Sequence, residues 1–274
     1  MISPDTVLHI YELKGSVPAE LCPGVESFVG LWNEEDFCYL FFTSREDRYV
    51  DRVSEESGAV LTDRYEMTYR DWQSGIPYAG LCVGDVKLVP ADHPDPPEKA
   101  ILIDPSVVFG DGSHPTTLRC LSIMEAIVRD HRIESVLDLG TGSGILALAA
   151  AALGVPRVRA VDRNVLAIRT ARNNVRINSL SDVIDVREGE ASWFMDQPCD
   201  LVAANLPFQV LRDIVQMRQA ALQRWWIVSG INRQQAEILQ ELLRENGIHT
   251  IAEYEDPPWV TFAARKPARD PVHR

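Results

Sequence analysis

Residues 136–154, VLDLGTGSGILALAAAALG, decide how the fold is read. The run opens as an apolar strand, breaks at a D-x-G-x-G-x-G turn made by Asp138, Gly140, Gly142 and Gly144, and continues into a leucine- and alanine-rich helix. Strand, glycine turn and helix in that order form the first half of a βαβ unit. Glycine lets the backbone turn sharply and approach a ligand, and the helix start adds a positive dipole end. The carboxylate of Asp138 would repel a dinucleotide pyrophosphate, so the stretch does not read simply as another nucleotide loop. It implies a ligand carrying positive charge near the strand end.

The same alternation continues outward. RVRAVD (157–162) leads into NVLAIRTARNNVRIN, DVIDVRE (182–188) and CDLVAANL (199–206) read as strands, and WWIVSG (225–230) precedes the helix RQQAEILQELLREN. Repeated strand–helix units imply right-handed crossovers and a mainly parallel, doubly wound sheet of α/β class. HTIAEYED and PWVTFAARK have no helix between them and predict a terminal antiparallel hairpin, completing seven strands. Upstream, TVLHIYEL, FCYLFFT and VLTDRYEMTY read as strands around the helical SREDRYVDRVSEESGA, a small α+β module. YRDWQSGIPYAG breaks that pattern, VGDVKLVP reads as a connecting strand, and PADHPDPPEK as a loop. The expected organisation is a small α+β module over 1–72, a linker with one connecting strand over 73–99, the ligand-binding domain over 100–266, and a frayed tail over 267–274.

With 274 residues, 46% hydrophobic and 24% charged, the composition is that of a globular protein. No apolar run approaches the roughly 18 residues that cross a bilayer, and the start lacks a basic and apolar leader, so a cytosolic protein is expected. Five scattered cysteines form no C-x-x-C pair, which indicates neither a disulfide framework nor a metal site. A formal net charge of −13 argues against nucleic-acid backbone binding as the main activity and suits a basic partner.

In an open α/β sheet the ligand sits beyond the carboxyl ends of the strands. S-adenosylmethionine has an α-ammonium, an α-carboxylate and a sulfonium and no phosphate, so it suits Asp138 better than NAD does. Asp162, 22 positions after Gly140, ends the second strand where an acid accepts ribose hydroxyl protons from either cofactor. Gly144 also reads as a packing glycine. Glu188 and Glu190 sit where the adenine edge would lie or form a solvated turn. In AANLPF (203–208), Asn205 can accept an amine proton or cap the next helix, Pro207 stiffens the turn so that the Leu206 carbonyl can accept as well, and Phe208 can wall a pocket.

These residues, with FGDGSHPTT (109–117), resemble the PrmA-type methyltransferases that modify large-subunit ribosomal protein eleven. The matched stretches are IDPSVVFGDGSHPTTLRCL, VLDLGTGSGILALAAAALG, AVD, DLVAANL and IVSGI, and MTYRDW resembles the segment entering the family's linker. The resemblance implies a class I S-adenosylmethionine-dependent methyltransferase that acts on lysine or α-amino groups of a ribosomal protein. Thr117, Asp138, Gly140, Thr141, Gly142, Gly144, Asp162 and Asn205 would bind the cofactor, and Asn205, Thr117 and Leu206 would orient the acceptor. No metal, nucleic acid or membrane is called for. Departures are Asp111 for a threonine, Arg163 and Asn164 where a second acid is usual, ALQRWW for a K-P-G-G turn, and N-L-P-F for a more apolar turn. Methylation of another protein's lysine or a small amine, and cofactor binding without transfer, remain open. His114 reads as a loop-fixing hydrogen-bonding residue or a general base, Trp72 as a packing anchor at the inter-domain joint, and Trp225 and Trp226 as core and rim.

Overall fold

The central strands of the C-terminal half are buried on both faces, as a sheet covered by helices on both sides requires. The protein, a computed structural model that describes residues 2–3, 5–22, 25–33, 36–72, 80–110 and 112–267, divides into two units. One holds the described residues of 1–77 together with 105–109, and the other those of 78–104 and 110–274. Asp111, a departure from the family pattern, and the tail beyond residue 267 lie outside the described residues.

The first unit contains β1 (Val7–Lys14), β2 (Phe28–Asn33), β3 (Phe37–Phe42), α1 (Asp47–Ser57), β4 (Val60–Thr68) and the short α2 (Tyr69–Trp72). Its antiparallel sheet runs β2-β3-β1-β4. Alternation puts Tyr11, Leu13, Cys38, Leu40 and Phe42 in one cluster with Tyr49, Val50 and Val53 of α1. Phe41 lies on the other face, and the Trp72 ring meets it edge-on at 4.9 Å. The Trp72 indole N–H donates to the Val107 carbonyl at 3.3 Å. Both partners of Trp72 belong to this unit.

The second unit begins with β5 (Leu81–Val83), β6 (Val86–Pro90) and β7 (Ile101–Ile103), a three-stranded sheet in the order β5-β6-β7. The expected single connecting strand is therefore a hairpin, with β7 added in parallel. The chain continues through α3 (Pro115–Asp130), β8 (Val136–Leu139), α4 (Ile145–Ala152), β9 (Val158–Asp162), α5 (Val165–Ile177), β10 (Ile184–Glu188), β11 (Leu201–Asn205), α6 (Phe208–Gln216), β12 (Trp225–Ile231), α7 (Arg233–Glu245), β13 (His249–Asp256) and β14 (Trp259–Arg265). The seven-stranded sheet runs β10-β9-β8-β11-β12-β14-β13, with all strands in one direction except β14, which is antiparallel to both of its neighbours, β12 and β13.

One face packs Val136, Val158, Ala203 and Ile227 against α3, α4 and α5. The other packs Leu137, Val161, Val202 and Val228 against α6 and α7. Each fully buried aliphatic side chain contributes about 1.5–3 kcal/mol. Trp225 and Trp226 are both core, 2% and 0% exposed, because a strand this deep in the sheet is covered on both faces. No helix among the described residues is long and apolar enough to cross a membrane.

Candidate functional site

At the end of β8 the backbone enters the left-handed region three times, at Gly140 (φ +71°), Gly142 (φ +54°) and Gly144 (φ +87°). The N–H groups of Gly140 and Thr141 both donate to the Val161 carbonyl, at 2.8 and 2.9 Å, and that of Gly142 donates to Asp162 Oδ2 at 3.0 Å. These donors are spent inside the protein, so the turn lacks the free N–H cradle of a phosphate loop. A Cβ on Gly144 would lie 3.3 Å from the Ala171 Cβ of α5, so this glycine serves packing, whereas a Cβ on Gly140 would meet Leu206 Cδ2 at 2.1 Å.

Asp138 is 1% exposed and faces α4. Its Oδ2 accepts the Thr141 hydroxyl at 2.6 Å and the Ala147 N–H at 3.2 Å. The cap of α4, Gly144, has no side chain, so this carboxylate satisfies a donor of the first turn in its place. Oδ1 has no partner among the described residues. Burial pushes the Asp138 carboxyl up to about 7, against those two hydrogen bonds and helped by the neighbouring Asp162 charge. Asp162 accepts the Asn164 N–H at 2.9 Å on Oδ1 and Gly142 on Oδ2, and burial raises its pKa against these contacts. Glu188 pairs with Asp162 across β10 and β9, and both Glu188 and Glu190 are exposed.

On the other side of β8, β11 ends at Asn205. Asn205 does not cap α6, whose cap position is Pro207 with no side-chain hydrogen bond. Its Nδ2 donates to Thr116 Oγ1 at 3.1 Å, and Thr116 Oγ1 lies 2.7 Å from His114 Nδ1. His114 caps α3 through Nδ1, which accepts the Thr116 N–H at 3.3 Å. Asn205 thus meets Thr116, a residue given no role from the sequence, which stands next to the expected Thr117 on α3. Thr117 is 1% exposed, and its hydroxyl has no partner among the described residues. Successive helix residues point about 100° apart, so two adjacent threonines are told apart only once the capping residue fixes the register.

Gly230 on β12 carries no role in the sequence reading and proves essential to the geometry. It has φ +85°, and a Cβ there would lie 2.8 Å from the Leu206 carbonyl oxygen and 3.0 Å from Asn205 Oδ1. The two acceptor atoms therefore converge where β12 lacks a side chain. Beside them Phe208 lines a cavity of about 410 Å³ with Pro207, Gly230, Asn232, Pro258 and Trp259. Among the described residues no three His, Cys, Asp or Glu side chains gather to hold a metal ion.

A family model described as ribosomal protein L11 methyltransferase (PrmA) matches residues 50–267. A ribosomal protein L11 methyltransferase of Exiguobacterium sibiricum is 34% identical over 179 residues, 64% of this chain and 56% of that one. One of Desulfitobacterium hafniense is 38% identical over 177 residues, 62% of this chain and 54% of that one. The chain thus spans about half the length of the curated relatives it matches. Among solved structures, a ribosomal protein L11 methylase from Lactobacillus delbrueckii subsp. bulgaricus superposes with a TM-score of 0.61 at 26% identity, covering 69% of this chain and 99% of that one.

Proposed function

The chain belongs to the ribosomal protein L11 methyltransferase (PrmA) family, and from that premise we propose that it transfers a methyl group from S-adenosylmethionine to an amino nitrogen of a basic ribosomal protein in the cytosol. The observation that carries the reading is the convergence of Asn205 Oδ1 and the Leu206 carbonyl on the space above Gly230. These lie one strand from a glycine turn whose buried acid has an oxygen with no partner among the described residues.

The residues present fit the cofactor. Asp138 Oδ1 offers a buried partner to an α-ammonium, and each Asp162 oxygen keeps a lone pair for a ribose hydroxyl after accepting one backbone N–H. Gly140, Thr141 and Gly142 form the turn along which the cofactor would lie, with Gly144 holding that turn against α5. Bound there, S-adenosylmethionine supplies a methyl group activated by its sulfonium.

Everything else falls to the chain. Asn205 Oδ1 and the Leu206 carbonyl accept N–H groups of the amine and so aim its lone pair, and the buried Thr117 hydroxyl offers a further contact. A lysine near pKa ~10.4 needs roughly 4–5 kcal/mol to lose its proton at neutral pH, an α-amine near ~7.8 only about 1 kcal/mol. Neither Asn205 nor a carbonyl takes that proton. Desolvation beside a positive sulfonium lowers the cost, and the proton leaves to solvent.

The test is transfer of tritium from methyl-labelled cofactor into a cell lysate, followed by mass spectrometry of the labelled band. One small basic ribosomal protein supports the proposal. Label in a different protein or a small amine favours that acceptor, and no label with intact S-adenosylhomocysteine binding leaves a protein that holds cofactor without transfer.

A further inference from the structure

We propose that His114 is a positioning residue which, through the Thr116 hydroxyl, dictates which end of the Asn205 carboxamide faces the acceptor nitrogen. The inference rests on the reading of Asn205 as the acceptor's partner and adds what makes that partner one-sided.

A carboxamide has an accepting end and a donating end of nearly the same shape. Presented by Oδ1, it takes an N–H of the amine and leaves the lone pair free for the methyl group. Presented by Nδ2, it would donate into that lone pair and hold the amine inert. Asn205 touches Thr116 Oγ1 at 3.1 Å. A hydroxyl by itself settles nothing, because it donates to Oδ1 as readily as it accepts from Nδ2.

His114 removes the ambiguity. The backbone N–H of Thr116 can only donate, and it points at His114 Nδ1 at 3.3 Å. Nδ1 therefore carries the lone pair, and the ring proton resides on Nε2. The Thr116 hydroxyl, 2.7 Å from the same Nδ1, must then spend its hydrogen on the ring. Only lone pairs remain for Asn205, so Nδ2 turns toward Thr116 and Oδ1 toward the Leu206 carbonyl over Gly230. Thr116 is 1% exposed, so no solvent competes for its hydroxyl. The direction of the chain Asn205 to Thr116 to His114 is thus set by the capping geometry of α3, whose first turn holds both threonines. His114 touches no reacting atom in this scheme and takes no proton from the substrate.

The experiment combines ring nitrogen spectroscopy with rates. In ¹⁵N-histidine-labelled protein saturated with S-adenosylhomocysteine, the His114 ring is expected to show an unprotonated Nδ1 and a protonated Nε2. A protonated Nδ1 in the neutral ring overturns the proposal. Single-turnover transfer at saturating labelled cofactor, with a ribosomal protein fraction as acceptor, is expected to fall about tenfold or more in Thr116→Val and in His114→Phe. Affinity for S-adenosylhomocysteine and the melting midpoint of Thr116→Val should stay near wild type. Thr116→Ser and His114→Asn, which keep the hydroxyl and an accepting cap, are expected to recover most of the rate. The double variant should be no slower than the worse single one, because both act through one orientation. A Thr116→Val variant transferring at the wild-type rate, or multiplicative losses in the double variant, sinks the inference. Failure of the underlying function looks different: the wild-type chain itself would move no label.

Discussion

The two ends of the seven-stranded sheet each border a hollow of about 410 Å³, and they differ in chemistry rather than size. At the amino ends of β8, β9 and β10 the lining includes Ser135, Arg159, Asp185, Phe194 and Cys199, where the link from β10 to β11 is only a single turn of 3-10 helix, Ala191–Phe194. Arg159 and Asp185 there are half exposed and paired: Arg159 lies 3.4 Å from Asp185, which also takes Arg187 at 2.7 Å. Asp200 nearby accepts the Glu134 N–H at 2.8 Å. At the carboxyl ends, among the described residues, a fully buried acid has an oxygen without a partner, a buried threonine has a hydroxyl without one, and a glycine leaves space for two acceptors. Volume does not mark a site. Nor do unpartnered polar atoms by themselves, since Trp225 Nε1, Trp226 Nε1 and Arg265 Nε at the amino ends also lack a partner among the described residues; a buried carboxylate and two acceptors gathered about one turn set the carboxyl ends apart.

That contrast can be broken experimentally. The largest effect is expected from Asn205→Ala, which should reduce methyl transfer about 100-fold or more while S-adenosylhomocysteine binding stays within a few-fold; wild-type transfer would remove Asn205 from the mechanism. Gly230→Ala comes next. Its Cβ meets a main-chain oxygen at 2.8 Å at φ +85°, so a loss of about 2 kcal/mol in denaturant unfolding and roughly tenfold in transfer are expected.

Asp138→Asn sharpens the comparison through pH. The folded carboxyl keeps its proton to about 7, while the unfolded one releases it near ~3.9. The folded state therefore binds more protons between these values. Wild-type stability falls as pH rises through that window, by at most about 1.4 kcal/mol per pH unit, and levels off above it. Unfolding titrations from pH 4 to 8 should lose this slope in the variant, and its cofactor affinity should drop about tenfold. The smallest effect belongs to the amino ends: Arg159→Ala should cost under about 1 kcal/mol and leave transfer untouched, since Arg159 and Asp185 are 43% and 40% exposed. Lost transfer there would overturn the comparison.

What the sequence discloses follows how local each requirement is. The spacing of strand, glycine turn and acid makes the parallel sheet and the positions of Asp138, Asp162 and Asn205 legible, because a doubly wound sheet must bring strand ends together. The N-terminal sheet is only partly legible. β2, with Gly30 and a polar end at Asn33, lacks clean alternation, and in the second unit three-residue β7 is too short to stand out beside a proline-rich loop. Residues 105–109 join the first unit only through packing that no local pattern encodes. The same limit hides Gly230, whose need for a bare backbone arises from the Leu206 carbonyl on another strand, and blurs Thr116 against Thr117.

The backbone bond from Gly142 to Asp162 Oδ2 has a mechanical consequence. The glycine turn belongs to β8 and the acid to β9, yet neither can shift without dragging the other. In hydrogen-exchange measurements the amides of Gly140, Thr141 and Gly142 should therefore slow or quicken as one cooperative block when ligand is added or withdrawn, instead of opening one by one like a frayed loop.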